Sequence, residues 1–379
     1  MKIHVGKVLL SLILTSMLFL GCSSSPDSQK SDAAQAAKPK SAAAAEQYME
    51  AHIGDAALRG RQLKGYEFDF SYMQAMAGLT KWNGMLVFGV DRDEGNGRNT
   101  ILKALTVDLA ADGTSKPALE PAVKEFHDGI LAPPAEAREV YSDPAGGAGA
   151  YLYFSSRSSI SSISHDGPGA VLGKYGAKRL AIDPDGQSAY IFSNKIMAQG
   201  TLTNGTFTPT RTFSTNGTSL VFSSLEDVAV GPDHRLYAAG KMKSDQSNVL
   251  HKIAIYTPDM NQVTMFGTDV PDYAPPRGRA FPRLAVTSKY IFSWKQADTF
   301  TLPAQLCLWT HDGAYLGQVV ADKVFGEGWQ PLEVTNWDEN TLVIVAAKIT
   351  NMKEIKNPET GRTNTERTWT YGFFLLQLE

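Results

Sequence analysis

Charged residues stand in pairs at intervals along this chain: Arg138-Glu139, Lys178-Arg179, Glu226-Asp227, and Arg283 after Pro282. A related position carries the uncharged pair Gln330-Pro331. Acids and bases mixed in this way can form ion pairs or hydrogen-bond a polar ligand. They make a poor cage for a hard cation, which takes oxygen donors on all sides. Trp329, Phe281 and Tyr273 fall in segments that lead into apolar runs. Aromatic faces beside Arg and Glu suit a sugar, a peptide or a partner side chain. The candidate ligand-binding residues are therefore Lys178, Arg179, Glu226, Asp227, Arg283 and Trp329.

Catalytic patterns do not emerge. The chain has no G-x-S-x-G, no H-E-x-x-H and no paired C-x-x-C. His52, His127, His165, His234, His251 and His311 are scattered, several of them in turn sequences such as His165-Asp-Gly and His311-Asp-Gly. Asp91-Arg-Asp93-Glu-Gly95-Asn-Gly97-Arg-Asn99 starts like a calcium loop, but Gly95, Asn96 and Leu102 stand where an EF-hand needs an oxygen ligand, glycine and glutamate. A polar hairpin between Met85–Val90 and Thr100–Val107 is expected there instead. Cys307 lies in Leu306-Cys307-Leu308-Trp309 and reads as a small buried hydrophobe. No catalytic residue, metal or cofactor is expected.

One residue carries a different chemistry. Cys22 follows Gly21, an apolar run from Val8 to Leu20, and Lys2 and Lys7. A basic start, an apolar stretch too short to span a bilayer comfortably and a small residue form a secretory signal. The window Leu18-Phe19-Leu20-Gly21-Cys22 resembles the lipobox of bacterial lipoproteins. That resemblance implies an acylated Cys22 as the mature N-terminus, with the membrane as a partner through its acyl chains. In the Gram-negative family an Asp after the cysteine retains the protein at the inner membrane; Ser23 stands here, which implies the outer membrane. Residues 1–21 are then the signal peptide.

The formal net charge is −3, and losing Lys2 and Lys7 with the signal makes it −5. That argues against nucleic acid as a partner. With Cys22 lipidated, the second of the two cysteines has no intramolecular partner. Residues 23–45, SSSPDSQKSDAAQAAKPKSAAAA, lack large apolar side chains and predict a flexible tether. A weak helical pattern continues through Tyr48, Met49 and Ile53. The expected organisation is a tether over 22–64 and a folded body over 65–379.

The body repeats. Leu180-Ala-Ile-Asp-Pro-Asp-Gly-Gln-Ser-Ala-Tyr190 and Val228-Ala-Val-Gly-Pro-Asp-His-Arg-Leu-Tyr237 are its clearest copies, with looser ones beginning at Leu79, Val140, Leu284 and Leu332. These anchors lie 61, 40, 48, 56 and 48 residues apart, a period that suits four-stranded blades with loops of varied length. Pro-Asp-Gly and Asn-Gly supply the tight reversals between strands. The units resemble the NHL and SMP-30-like propeller families, so an all-β, six-bladed β-propeller is expected. The last unit is one strand short of four. Tyr66-Glu-Phe-Asp-Phe-Ser-Tyr72 alternates and is expected to close the ring against the strand near 368–378. Asn351–Arg367 is expected to form an extended hairpin tip.

In such a ring, residues beside each innermost strand converge on one channel mouth. The SMP-30-like hydrolases place a carboxylate–amide metal cluster there, and the matching positions here mix cations with acids, so that catalytic set does not carry over. The sequence favours a membrane-anchored envelope module that binds or scaffolds a polar ligand, saccharide, peptide or protein. An SMP-30-like esterase or lactonase and an envelope assembly factor stay open as alternatives.

Overall fold

The computed structural model describes residues 48–379, except 71–75, 83, 94–97, 107–119, 122–138, 143–150, 156–159, 165–166, 174–178, 193–195, 215–221, 223, 244–248, 268–277, 298–301, 357, 359–360 and 362. Cys22 and the segment 1–47 lie outside the described residues. The described residues open with three strands, β1 (Met49–Ile53), β2 (Ala56–Gln62) and β3 (Phe68–Phe70). Four antiparallel sheets follow in chain order. They are β4 (Met76–Trp82) to β7 (Glu120–Pro121) through β5 (Met85–Asp93) and β6 (Arg98–Thr106); then β8 (Glu139–Ser142), β9 (Leu152–Ser155), β10 (Ile160–Ser164) and β11 (Gly167–Gly173). Next come β12 (Arg179–Ile182), β13 (Ser188–Phe192), β14 (Ile196–Thr203) and β15 (Thr206–Ser214); then β16 (Ser224–Val230), β17 (Leu236–Lys243), β18 (Val249–Tyr256) and β19 (Gln262–Gly267). A fifth sheet has β20 (Gly278–Ala280) and β21 (Ala285–Val286) sharing β22 (Tyr290–Ala297), followed by β23 (Gln305–Thr310) and β24 (Tyr315–Val320). A short helix α1 (Asp322–Phe325) leads to β25 (Gln330–Asn336), β26 (Thr341–Lys356) and β27 (Thr363–Leu378).

Why these residues make this architecture is visible in β13. Ala189 and Ile191 enter a core shared with Tyr153, Ile160 and Leu180, while Tyr190 and Phe192 enter another shared with Leu236, Ala238 and Tyr256. Successive side chains of a strand point to opposite faces. A strand sandwiched between two neighbouring sheets must therefore be apolar at every position, which explains the unbroken run Ala-Tyr-Ile-Phe. β9 repeats this with Leu152 to Ser155 all buried. Each large side chain so buried contributes about 1.5–3 kcal/mol.

The innermost strands touch in series: β4 with β8, β8 with β12, β12 with β16, β16 with β21, β21 with β25, and β25 with β4. Sheets packed face to face around a common axis in this way form a β-propeller. Turn chemistry follows the sequence. Gly186 of Pro-Asp-Gly has φ 71°, and Asn204 and Gly205 have φ 48° and 70° between β14 and β15. The latter two values are those of the two-residue hairpin turn. The Thr310–Gly313 turn joins β23 to β24, and β5 pairs with β6 as the polar hairpin expected over the failed calcium motif.

The last sheet joins the two ends of the chain in the order β1-β2-β27-β26-β25, with β3 also on β27. β3 pairs as expected, with Phe68 opposite Tyr371 and Phe70 opposite Trp369. The expected tether boundary at 64 is corrected. β2 runs Leu58 to Gln62 against Leu378 to Phe374, and β1 covers β2. The physical cause is alternation. Ala51 and Ile53 in β1, and Ala56 and Leu58 in β2, are buried in a core with α1, Phe374 and Leu376. The weak helical pattern through Tyr48, Met49 and Ile53 is corrected too: Met49 to Ile53 is a strand, and burial on one face overrides local preference. Beyond Ala347 and Tyr371, β26 and β27 continue as a ribbon through Lys356 and Thr363, as expected for the hairpin tip.

Candidate functional site: a charged column on the innermost strands

Five innermost strands share a position. It is the third residue before the last ladder pair at the turn end, where Ser142 faces Leu152, Ile182 faces Ala189, Val230 faces Leu236, Val286 faces Ile291 and Asn336 faces Leu342. The occupants are Glu139, Arg179, Asp227, Arg283 and Glu333. Their formal charges alternate in sign from sheet to sheet. From β12 to β25 the strands touch in series, so Arg179 and Asp227, and Arg283 and Glu333, bring opposite charges side by side.

β-bulges aim two of the acids. In β16, Leu225 pairs with Gly240 and Asp227 with Ala239, so Glu226 is the extra residue. In β25, Pro331 pairs with Ala346 and Glu333 with Val345, so Leu332 is the extra residue. A bulge twists the strand and re-aims the side chain after it. Asp227 and Glu333 are both buried as a result.

Asp227 and Glu333 are each held by the neighbouring sheet. Arg283 grips Glu333 through two parallel bonds: Nε donates to Oε2 at 2.6 Å and Nη2 to Oε1 at 2.8 Å. Its Nη1 donates to the Pro282 carbonyl at 2.9 Å, and the Ser293 hydroxyl donates to the Arg283 carbonyl at 2.6 Å. Two-point geometry of this kind is among the stronger charge-assisted arrangements. Asp227 accepts the Leu284 amide at 2.8 Å and lies 3.7 Å from Arg179 Nε, which itself donates to the Glu226 carbonyl at 2.7 Å. The mixed charges thus make ion pairs, as the residue types imply. A polar chain runs from β12 through β16 and β21 to β25.

Glu226 adds a second layer. Its carboxylate meets Lys241 Nζ at 3.2 Å, both groups partly open to solvent. His251 sits behind them and donates to the Ala280 carbonyl; burial, then Lys241, lowers its pKa. Of the six sequence candidates, Arg179, Glu226, Asp227 and Arg283 fall in this column or beside it. Lys178 lies outside the described residues, as does Tyr273.

Trp329 is corrected. It is only 4% exposed, stacked edge-on against Phe374 at 5.1 Å, with Lys348 Nζ 4.7 Å above its face. A Cβ on Gly372 would lie 2.8 Å from the indole, so the ring fills a space cut for it. Its role is packing, because an apolar face between two sheets is worth more buried than offered to water. Phe281 is also fully buried, edge-on to Trp309 at 5.3 Å. Glu333 and Lys241 are site residues the sequence reading missed. The sequence reading anchored the last unit at Leu332, but the ladder makes Val334, two residues on, the counterpart of Val228, so Gln330-Pro331 was matched to the wrong place; Gln330 instead caps the Ala304 amide at 3.0 Å.

Elsewhere the chemistry is quiet. Burial pushes the Cys307 thiol up to about 12, consistent with a packed hydrophobe. Among the described residues no group of three or more His, Cys, Asp and Glu could hold a metal ion. His311 Nε2 contacts the Thr287 carbonyl at 2.9 Å, and His52 is an exposed neighbour of Glu50. His127 and His165 lie outside the described residues.

The fold and this ring of inner strands define the class: a β-propeller with its charged column on the inner strands. No family model matches the chain, and no curated protein does. Among solved structures it is similar to a protein described as a TolB from Agrobacterium tumefaciens, at 12% identity over 65% of this chain and 81% of that one, with a TM-score of 0.40. It is also similar to a functionally unknown protein from Desulfotomaculum acetoxidans, at 12% identity over 74% and 87% of the two chains, with a TM-score of 0.42. Hsv2 from Kluyvelomyces marxianus is similar at 7% identity over 81% and 97%, with a TM-score of 0.36.

Proposed function

We propose that this chain is an envelope lipoprotein, anchored through Cys22, whose six-bladed propeller binds or scaffolds a polar ligand, peptide or protein at the end of the ring where the innermost strands begin. The observation that carries the binding reading is the column itself. Residues far apart in sequence, from Arg179 to Glu333, converge on consecutive inner strands, and Glu226 and Lys241 beside them stay open to solvent. Six sheets with serially touching inner strands support the blade count. The Gly21-Cys22 window supports anchoring, and more than one acyl chain gives stable attachment. Outer-membrane placement follows from Ser23 if the host is Gram-negative.

Binding is favoured over SMP-30-like hydrolysis because Arg179 and Arg283 engage the acids that such a hydrolase would need for metal. Two measurements test the proposal. Cys22→Ser should release the protein from membranes, and mass spectrometry should find an acylated Cys22; an unmodified cysteine removes the anchoring reading. A photo-crosslinking residue placed at Lys241 should capture a partner in cells that the same residue at Val263, on the outer strand β19, does not. Equal labelling at both positions removes the binding site.

A further inference from the structure

The turns at the opposite ends of these inner strands carry a second contact between sheets. Asp183-Pro-Asp-Gly186 joins β12 to β13, and Gly231-Pro-Asp-His234 joins β16 to β17. The two turns are alike except that Gly231 stands in the place of Asp183 and His234 in the place of Gly186. Gly186 takes φ 71°, and His234 occupies the same place with φ 60°. A side chain in that left-handed region is strained, and glycine avoids the strain. His234 accepts this strain while its Nδ1 reaches across to Asp183 Oδ1 of the neighbouring sheet at 2.6 Å. Asp183 is almost fully buried, with 6% of its side chain exposed, and also accepts the Asp185 amide at 3.2 Å.

From this geometry we propose that His234 and Asp183 form a pH-sensitive stitch between the sheet of β12–β15 and the sheet of β16–β19, closed when the imidazole is protonated. The charged surroundings favour that form. Asp183 faces the ring directly, Asp185 approaches from the β12–β13 turn, and Asp233 lies in the histidine's own turn. Asp233 also accepts the Tyr237 hydroxyl at 2.8 Å and lies 3.7 Å from Arg235 Nε, the nearby cation. From the fifth sheet, His311 packs its ring against Tyr237 rather than against His234. Asp185 is occupied with the Gln187 and Ser188 amides of its own turn, so Asp183 is the acid left to bridge the seam.

The bond to Asp183, then its charge, raises the pKa of His234 above the ordinary value. A histidine raised in the folded state contributes stability that is full below its unfolded pKa of about 6.5 and is lost as pH rises through the folded value. The stitch therefore loosens towards alkaline pH.

The test uses the full chain and a variant chosen to fold. His234→Gly removes the imidazole and relieves the backbone strain together. Relative to that variant, the wild-type urea midpoint should shift downward as pH rises from about 6 to about 9; wild-type and variant midpoints that move in parallel overturn the stitch. A second reading is independent of stability. The His234 titration followed by NMR should move to lower pH in Asp183→Asn, and an unmoved midpoint in that variant also overturns it.

Discussion

The sheet of β12–β15 and the sheet that joins the chain ends are built from similar strands but held together differently. The first is local: each strand pairs with the next in sequence, and its outermost strand β15 runs Thr208, Pro209 and Thr210 along an exposed edge. Pro209 is tolerated there because an edge strand has no outward neighbour to receive its missing amide proton. The closing sheet is nonlocal. β27 lies between β26 on one side and β2 and β3 on the other, so a single strand joins three separate stretches of chain. Damage to a local edge stays at that edge, while damage to the closing sheet opens the ring.

The largest expected effect tests that difference. Deleting residues 1–62 removes β1 and β2 and exposes the buried faces of Phe374 and Leu376. Each buried Leu or Ile lost with those strands removes about 1.5–3 kcal/mol, so cooperative melting should be lost or its midpoint fall far. A truncated chain that melts like the full one would show the hairpin to be dispensable. By contrast, Thr208→Ala on β15 should leave stability within about 0.5 kcal/mol.

Next is Trp329→Ala, which should cost about 3–5 kcal/mol in a denaturant titration, since Phe374 and Gly372 cannot collapse fully into the void. A change below 1 kcal/mol would return Trp329 to the list of exposed ligand contacts. Replacing Glu333 by Ala leaves the Arg283 guanidinium half-buried without its two-point partner, and removing one member of a buried pair costs about 3 kcal/mol or more. Replacing both by apolar residues should restore most of that loss; if the double variant is as unstable as the single one, the pair is not coupled as described.

Gly60→Ala follows, because its new Cβ would lie 2.1 Å from the Val324 carbonyl oxygen where β2 meets α1. Overpacking of that kind costs about 1–3 kcal/mol, and calorimetry should register it as a lower melting temperature. The smallest effect is Arg59→Ala. Arg59 bridges Glu50 and Glu379 at 2.8 Å each, but on an open surface where salt screens the charge. Any shift in melting temperature should vanish in high salt.

Much of the fold was legible because its signals are local. Pro-Asp-Gly and Asn-Gly specify reversals through φ at one or two residues, and Ala-Tyr-Ile-Phe announces a strand buried on both faces. The terminal strand Phe68–Phe70 was legible from its alternation. β1 and β2 were not, since Ala51, Ala56 and Ala57 carry little apolar signal and gain their meaning from α1 and β27. The charged column was half legible. Its residue types were visible, but the last unit has no Pro-Asp turn to fix its register, so it was anchored at Leu332 and not at Val334, and that hid Glu333. Trp329 shows the converse: an aromatic beside charged residues reads alike whether it faces solvent or a neighbouring sheet.

The closing sheet also sets an order in time. Arg59 and its partner Glu379 are separated by 320 positions. At about 5–20 residues per second, a ribosome needs on the order of 16–64 s between making the two. The strand that seals the ring is thus the first part of the body to be made and among the last to find its place. Through that interval Leu58 and Ile53 have no native surface to cover, and the unpaired β2 edge is open to other chains. A newborn chain of this protein therefore carries an apolar hairpin whose covering strand is made last.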